Sequence, residues 1–589
     1  MRRPLVGWRP VCDDTGASIL FDGWLDDIDS LGAELGRPGA SAAELYLTAL
    51  RRWGDLADAR INGHYATIVT FADRRVRLAR SPWSSPPLHY ANDGARAIIA
   101  SVPRVLLSAG IPARLDPVKL ADNLVCNLVD DERGWYRECW RVPQGSIVHL
   151  GPGTRRTIRW YDPHAATPVR LSCDEDYVQA ARKLIGRAAD NALVGTRQPG
   201  IALSGGLDSA LIAAELLQRT PAGSRLRSFT FRPLANWDGR INPDQMGDEK
   251  SFVDAFAALH PALEPSFTRN EAGGFDHRLR ELFAAMGTAP GYLGNYYVYH
   301  GVWQGARDAG CDWLFDATLG NQTFSNDGRW SYVEYLLRLR WNQLRLVLSR
   351  RRGDHRTLLR KFASLSLLPL LPSRWRDPIR RLRHPGLRSI SEMASMMAAD
   401  FNSEQGVEKR AKRDGAWRDA TYPRSHRESV ALDYLLADFE SSDIHQGFEQ
   451  VYGLRRRDVT GYRPLIEFCL GLPTSQFVRD GKERWLAKRL AVGRLPEAQI
   501  HNPGYGRHDV DWHARIGPRR SELLTEIGRI AAVPKLAAMF DIPRMRAALE
   551  DWPNATPLAP QEALPREIGL TRALVAARFV NFIEGRNDV

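Results

Sequence analysis

Cysteine is scarce in this chain, with six in 589 residues (Cys12, Cys126, Cys139, Cys173, Cys311 and Cys469) and no pair spaced C-x-x-C. That excludes a zinc ribbon, an iron–sulfur site and a disulfide framework, and predicts reduced, mostly buried thiols. Long apolar runs are missing as well. The most apolar stretch, Leu365 to Leu371, is short and broken by Ser366 and Pro369, so no membrane span is expected. The amino-terminal MRRPLVGWRPVC is basic but lacks the apolar stretch of roughly 7 to 15 residues that a secretory signal needs. A soluble, cytoplasmic protein is the expectation. Absent too is a lysine-bearing G-x-x-x-x-G-K-[ST] loop, which argues against phosphoryl transfer to an acceptor.

What is present is ordinary globular material, 44% hydrophobic and 25% charged, which rules out wholesale disorder and a coiled-coil rod. At roughly 100 to 200 residues per domain, the length predicts two or three domains. The net charge of +12 is concentrated: Arg338 to Arg388 holds 15 basic residues against Asp354 and Asp377. Such a segment is either a solvated helical insertion or a docking surface for an acidic peptide, a partner or a headgroup layer.

Residues 1–168 carry alternating strand patterns at His64 to Phe71, Val76 to Arg80, Ala97 to Ser101, Ser146 to Leu150 and Thr157 to Tyr161. Helical stretches at Ser41 to Trp53 and Pro117 to Leu128 interrupt them, and Gly151-Pro152-Gly153 makes a tight turn. The pattern predicts an α+β layered domain. From 169 to the end, strands and helices alternate. A helix is predicted over Asp176 to Val194, capped by Ser172 or Asp174, then a strand at Ile201 to Leu203, a helix at Asp208 to Leu217 and a strand at Ser228 to Phe231. Helices at Lys250 to Leu259 and Tyr296 to Ala309 and a strand at Trp313 to Phe315 follow. This α/β order predicts an open, mostly parallel sheet with its ligand beyond the carboxyl ends of the strands. A basic helical insertion is expected over about residues 335–390, with only helices after it.

Residues 201–210 read IALSGGLDSA: an apolar strand delivers Ser204-Gly205-Gly206 into a helix whose first turn holds Asp208 and Ser209. Two glycines let a phosphate approach the backbone, helix-start N–H groups supply partial positive charge, and the serines add hydroxyl donors. Asp208 would repel a bare phosphate, so it makes sense with magnesium between carboxylate and phosphate oxygens. The bland reading is a Gly-Gly turn with Asp and Ser as helix caps. With no phosphoryl-transfer lysine, adenylation with release of pyrophosphate is the expected use of ATP.

At this motif the sequence resembles the asparagine synthetase superfamily, whose synthetase domain uses S-G-G-x-D-S as a pyrophosphate loop. Ser228-Phe229-Thr230-Phe231 with Gly247-Asp248-Glu249-Lys250 resembles that family's second strand and Asp-Glu-led helix. Tyr462 to Phe468, Leu472-Pro473, Lys482 and Leu495-Pro496 resemble its C-terminal region, and Trp140 to Gly145 with Trp160-Tyr161 resemble the end of its glutaminase-type domain. The resemblance implies an N-terminal Ntn-hydrolase-like domain and an ATP-pyrophosphatase-type synthetase domain with a helical C-terminal part. It also implies ATP and Mg2+ as cofactors. Ser204, Gly205, Gly206, Leu207, Asp208 and Ser209 would hold pyrophosphate, with Asp208 on the metal, and Ala202 and Phe231 would line the adenine pocket.

The sequence also departs from that family. Glutamine-hydrolysing members need an N-terminal cysteine; here the sequence reads Met1-Arg2-Arg3 and Cys12 lies inside, so a glutaminase fold without its nucleophile is expected. Asn321 and Gln322 stand where an acidic pair is expected, with Asp316 a possible substitute on the metal, and Gly504 stands near the place of a lysine, leaving Arg507 as the candidate oxyanion cation. These departures resemble the lasso-peptide macrolactam synthetases. Such an enzyme would adenylate a carboxylate of a precursor peptide, with a leader-peptide-binding or protease partner and no nucleic acid. The alternatives are asparagine formation from aspartate, an RNA-modifying ATPase, and an inactive scaffold.

Overall fold

The computed structural model describes residues 10–586 apart from 93–95, 128–129, 222, 272, 352–353, 373–374, 377, 380–381, 383–389, 415–422, 437–439 and 503. The Met1-Arg2-Arg3 terminus and part of the Arg338 to Arg388 segment therefore lie outside the described residues.

The first domain is built on a six-stranded antiparallel sheet in the order β1 (Val11–Cys12), β2 (Ser18–Leu25), β3 (Gly63–Thr70), β4 (Val76–Arg80), β8 (Ser146–Gly151) and β9 (Thr154–Arg159). A second sheet places β5 (His89–Asn92) between β6 (Ala97–Ala100) and β7 (Trp140–Arg141). Alternation puts Leu78 and Val148 of one sheet against Tyr90 of the other, while Tyr65 and Val69 of β3 face the helix Ala42–Trp53. Ser41 caps that helix in a reciprocal box with Glu44. The predicted strand at Thr157 to Tyr161 begins earlier, at Thr154, because Gly153 at φ +66 closes a tight hairpin with β8. Pattern reading missed β2 and β5.

The second domain holds a parallel five-stranded sheet in the order β13 (Leu263–Thr268), β11 (Leu226–Phe231), β10 (Pro199–Ala202), β14 (Trp313–Asp316) and β15 (Arg455–Asp458). The expected cap of the helix Asp174–Leu193 is corrected. Cys173 occupies the N-cap, its N–H bonded to Asp176, while Asp174 accepts from Gln476 at 3.0 Å. The expectation of helices alone after the basic segment is corrected too. β15, reading Arg-Arg-Arg-Asp, is a strand because β14 supplies its ladder and carboxylates accept its arginines: Arg456 meets Asp316, and Arg457 meets Asp26 of the first domain.

The two domains share a polar seam. Trp83 Nε1 donates to Gly461 O at 2.7 Å, Tyr462 Oη to Asp27 at 2.7 Å, and Arg463 to the carbonyl of Asp58 at 3.1 Å. Deeper in, Lys119 pairs with Glu440 at 2.6 Å and Arg141 with Asp443 at 2.7 Å, all four side chains buried. Breaking one such buried pair from one side costs about 3–5 kcal/mol, so the seam holds the domains in one arrangement. Among the described residues, no helix is long and apolar enough to cross a membrane.

Candidate active site

The chain runs from β10 outward to β11 and β13, then returns to β14 and β15 on the other side. β10 and β14 are therefore neighbours at the point where strand order reverses, and their carboxyl ends flank a crevice. The turn after β10 is Ser204 to Ser209, and the loop after β14 runs through Gly320 to Gln322. They meet closely: a Cβ placed on Gly320 would fall 2.5 Å from Asp208 Cβ.

Within the turn, Ser204 and Ser209 bond hydroxyl to hydroxyl at 2.8 Å, and the Ser204 N–H donates to Ser209 Oγ at 3.0 Å. Gly206 is the N-cap of the helix Leu207–Arg219 and brings no side chain, so first-turn N–H groups are left for an incoming anion. Neither glycine amide of the turn is free. Gly205 N–H donates to Glu249 Oε2 at 3.2 Å, and Gly206 N–H to Ser204 Oγ at 3.3 Å. Gln499 Nε2 ties the turn from the far side, donating to the carbonyls of both Gly205 and Gly206 at 3.1 Å.

Asp208 Oδ1 is buried and makes no hydrogen bond of good geometry among the described residues, with the Ser325 hydroxyl beside the carboxyl. Burial raises the pKa of this carboxyl, opposed by the charge of Arg484 and by the hydroxyl of Ser325. A buried carboxylate in the same turn as the Ser204 and Ser209 hydroxyls is a fitting donor set for a magnesium ion that takes its other ligands from phosphate. Among the described residues no cluster of three His, Cys, Asp or Glu could hold a metal by itself.

The expected Asp316 is held elsewhere. It is bonded to Arg456 at 2.6 and 2.8 Å and accepts from the N–H and hydroxyl of Thr318. Next to it Asp458 accepts from Leu319 N–H at 3.0 Å, and burial, with Asp316 nearby, pushes its pKa up to about 7. Arg507 is likewise engaged, by Glu567 at 2.5 Å and Asp509 at 3.4 Å, and so is not a free cation awaiting an oxyanion. Burial first and then Asp509 push Glu567 up to about 8. Ala202 and Phe231 end the adjacent strands β10 and β11, with Ala202 in register with Phe229. Phe231 meets Tyr297 edge-on, with ring centroids 6.3 Å apart. Leu207 is buried in the core beneath the turn.

Two residues beside the turn, Gln499 and Arg484, escaped the sequence reading, and Glu249 was seen only as part of the Asp-Glu-led helix. Arg484 donates to Asn321 Oδ1 at 3.0 Å, lies 4.5 Å from the Tyr505 ring and bears electrostatically on Asp208. It is thus the cation the turn has, supplied from 276 residues downstream of Asp208. Only the Lys482-Glu483-Arg484 charge cluster hinted at it. Asn321, standing in an acid's place, serves as the acceptor for that arginine.

A glutamine amidotransferase domain model matches residues 11–161, and an asparagine synthase model matches residues 180–452. These two matches support a place for the chain in the asparagine synthetase superfamily. The chain is 32% identical over 174 residues to the carboxyethyl-arginine beta-lactam-synthase of Streptomyces clavuligerus, a match that covers 29% of this chain and 31% of that protein. The match thus spans under a third of that superfamily member. Among solved structures it is similar to the B. subtilis glutamine phosphoribosylpyrophosphate amidotransferase complexed with ADP and GMP, at 14% identity and a TM-score of 0.20, over 38% of this chain and 57% of that one. A U34-tRNA thiolase from Methanococcus maripaludis gives 14% identity and a TM-score of 0.19, over 48% of this chain and 82% of that one.

Proposed function

We propose that this chain is an ATP-dependent, AMP-forming carbon–nitrogen ligase that closes a macrolactam in a precursor peptide. One observation carries the reading: the buried Asp208 carboxylate, the Ser204–Ser209 hydroxyl pair and Arg484 gather at the switch point of a parallel sheet. These groups suit a magnesium-bound pyrophosphate, the leaving group of adenylation. Asp208 with the two hydroxyls would hold the metal, which when bound neutralises phosphate charge. Ala202 and Phe231 would receive the adenine.

In the reaction, a peptide carboxylate oxygen attacks the α-phosphorus of ATP; the bond to the β-phosphate oxygen breaks and pyrophosphate leaves. The peptide's amine then attacks the acyl carbon, loses a proton, and expels AMP as the amide forms. The protein's part is to align the partners and exclude water, an effect that supplies roughly 7 to 11 kcal/mol in well-oriented systems. With Arg507 paired to Glu567, the tetrahedral oxyanion is left to backbone N–H groups in this reading. A peptide substrate is favoured over free aspartate because Asn321, Gln322 and Gly504 depart from the pattern of asparagine formation.

The test is incubation of the protein with ATP, magnesium and a candidate precursor peptide together with its processing partners. AMP, pyrophosphate and a peptide product lighter by one water support the proposal. Asparagine formed from aspartate and ammonium, with no peptide product, would instead establish the second reading.

A further inference from the structure

The helices Ser331–Leu337, Trp341–Ser349 and Leu358–Phe362 form a small subdomain with its own core, in which Tyr332, Tyr335, Leu344 and Leu348 pack with Phe362. Having made that core, the segment still leaves large apolar side chains outside. Of the fifteen large hydrophobic residues exposed among the described residues, nine fall between Leu337 and Leu382, including both exposed tryptophans, Trp341 at 55% and Trp375 at 61%. So dense a cluster exceeds the scatter of single apolar residues that any surface carries.

The backbone adds a second sign. Leu339 adopts φ +54 while 69% exposed. A leucine in the left-handed region is strained, and here no burial compensates for it. Leu337, Leu339 and Trp341 are all exposed around this corner between two helices. Arginines accompany them: Arg338, Arg340, Arg345, Arg350, Arg356 and Arg360 are exposed. Among the described residues, Arg345 and Arg360 have no carboxylate partner.

We propose that this subdomain is a membrane-docking face that seats the protein on an anionic phospholipid surface. Leucine and tryptophan would enter the headgroup and acyl boundary while arginines meet lipid phosphates, a division of labour those side chains perform at interfaces. An acidic peptide would satisfy the arginines and leave the leucines in water. Nucleic acid would do the same, since aliphatic side chains offer bases no stacking face.

Sedimentation of the full chain with lipid vesicles tests this without any turnover, so its outcome is separate from that of the ligase reading. Binding to phosphatidylcholine vesicles containing phosphatidylglycerol, weakened by salt and absent with phosphatidylcholine alone, is expected. R345A/R360A should lower partitioning roughly 25-fold, at roughly fivefold per basic residue. L339S/W341S should lower it at least comparably while leaving the near-ultraviolet circular dichroism of the fold intact. Failure to bind anionic vesicles, equal binding to both lipids, or capture of a polyglutamate peptide in place of vesicles would overturn the proposal.

Discussion

Asp208 and Gly320 stand so close that a single methyl group on Gly320 would fall 2.5 Å from Asp208 Cβ and 2.7 Å from its Cγ. The loop after β14 thereby presses on the turn after β10. Gly320→Ala should displace Asp208 and cost about 1–3 kcal/mol of stability, the usual range for overpacking. A melting curve of the variant, with pyrophosphate release measured in parallel, checks both effects.

Asp208→Asn separates chemistry from stability. Burial raises the pKa of this carboxyl, so the charged form is disfavoured and a neutral amide of the same shape should leave the melting temperature unchanged or higher. AMP formation, in contrast, should fall roughly 10²- to 10³-fold if the carboxylate holds charge at the transferring phosphates. Undiminished AMP release in the variant would remove Asp208 from the site.

Arg484→Ala removes the cation beside the turn. Hydrogen bonds to charged groups contribute about 1.5–3 kcal/mol, so the KM for ATP should rise by one to two orders of magnitude. Arg484→Lys should recover part of this, because it keeps the charge while losing the fork that reaches Asn321. Steady-state kinetics against ATP reads both variants.

A pH prediction comes from the seam between the domains. His64 is buried against Trp24, with ring centroids 5.1 Å apart, and burial, helped by Arg457 and Arg456, lowers its pKa to about 3. In the unfolded chain it takes up a proton near the ordinary value of 6.5. Its folded pKa is depressed and its neutral form is the one the fold accepts, so its contribution is full above pH 6.5 and is lost as pH falls toward 3. The loss is about 1.4 kcal/mol per pH unit within that window. His64→Gln should flatten the acid limb of a stability-against-pH curve.

Much of the site was legible because its signal is local. IALSGGLDSA is a continuous stretch in which strand, glycine turn and helix start follow one another, and the structure builds them in that order. The strands β3, β4, β8 and β14 were legible for the same reason, since period-two or fully apolar runs reflect burial on a sheet face. β15 was not. Its three arginines carry no apolar or alternating pattern, and only the fold shows that Asp316 and Asp26, far away in sequence, receive two of them. Asp316 and Arg507 were candidates by type, a carboxylate and a guanidinium near the right motifs, yet each is taken by a partner that no spacing rule points to.

By itself the amino-acid order determined the strand–glycine–helix turn at 201–210, the alternation of strands and helices that builds a parallel sheet, and the confinement of positive charge to one segment. All of these depend on residues within a few positions of one another. Only the tertiary structure decided which ionised groups stay available at the turn. A charge is released or neutralised by whatever lies within a few ångströms of it, and in this fold Arg484, Glu249 and Gln499 reach Ser204 to Ser209 from distant parts of the chain.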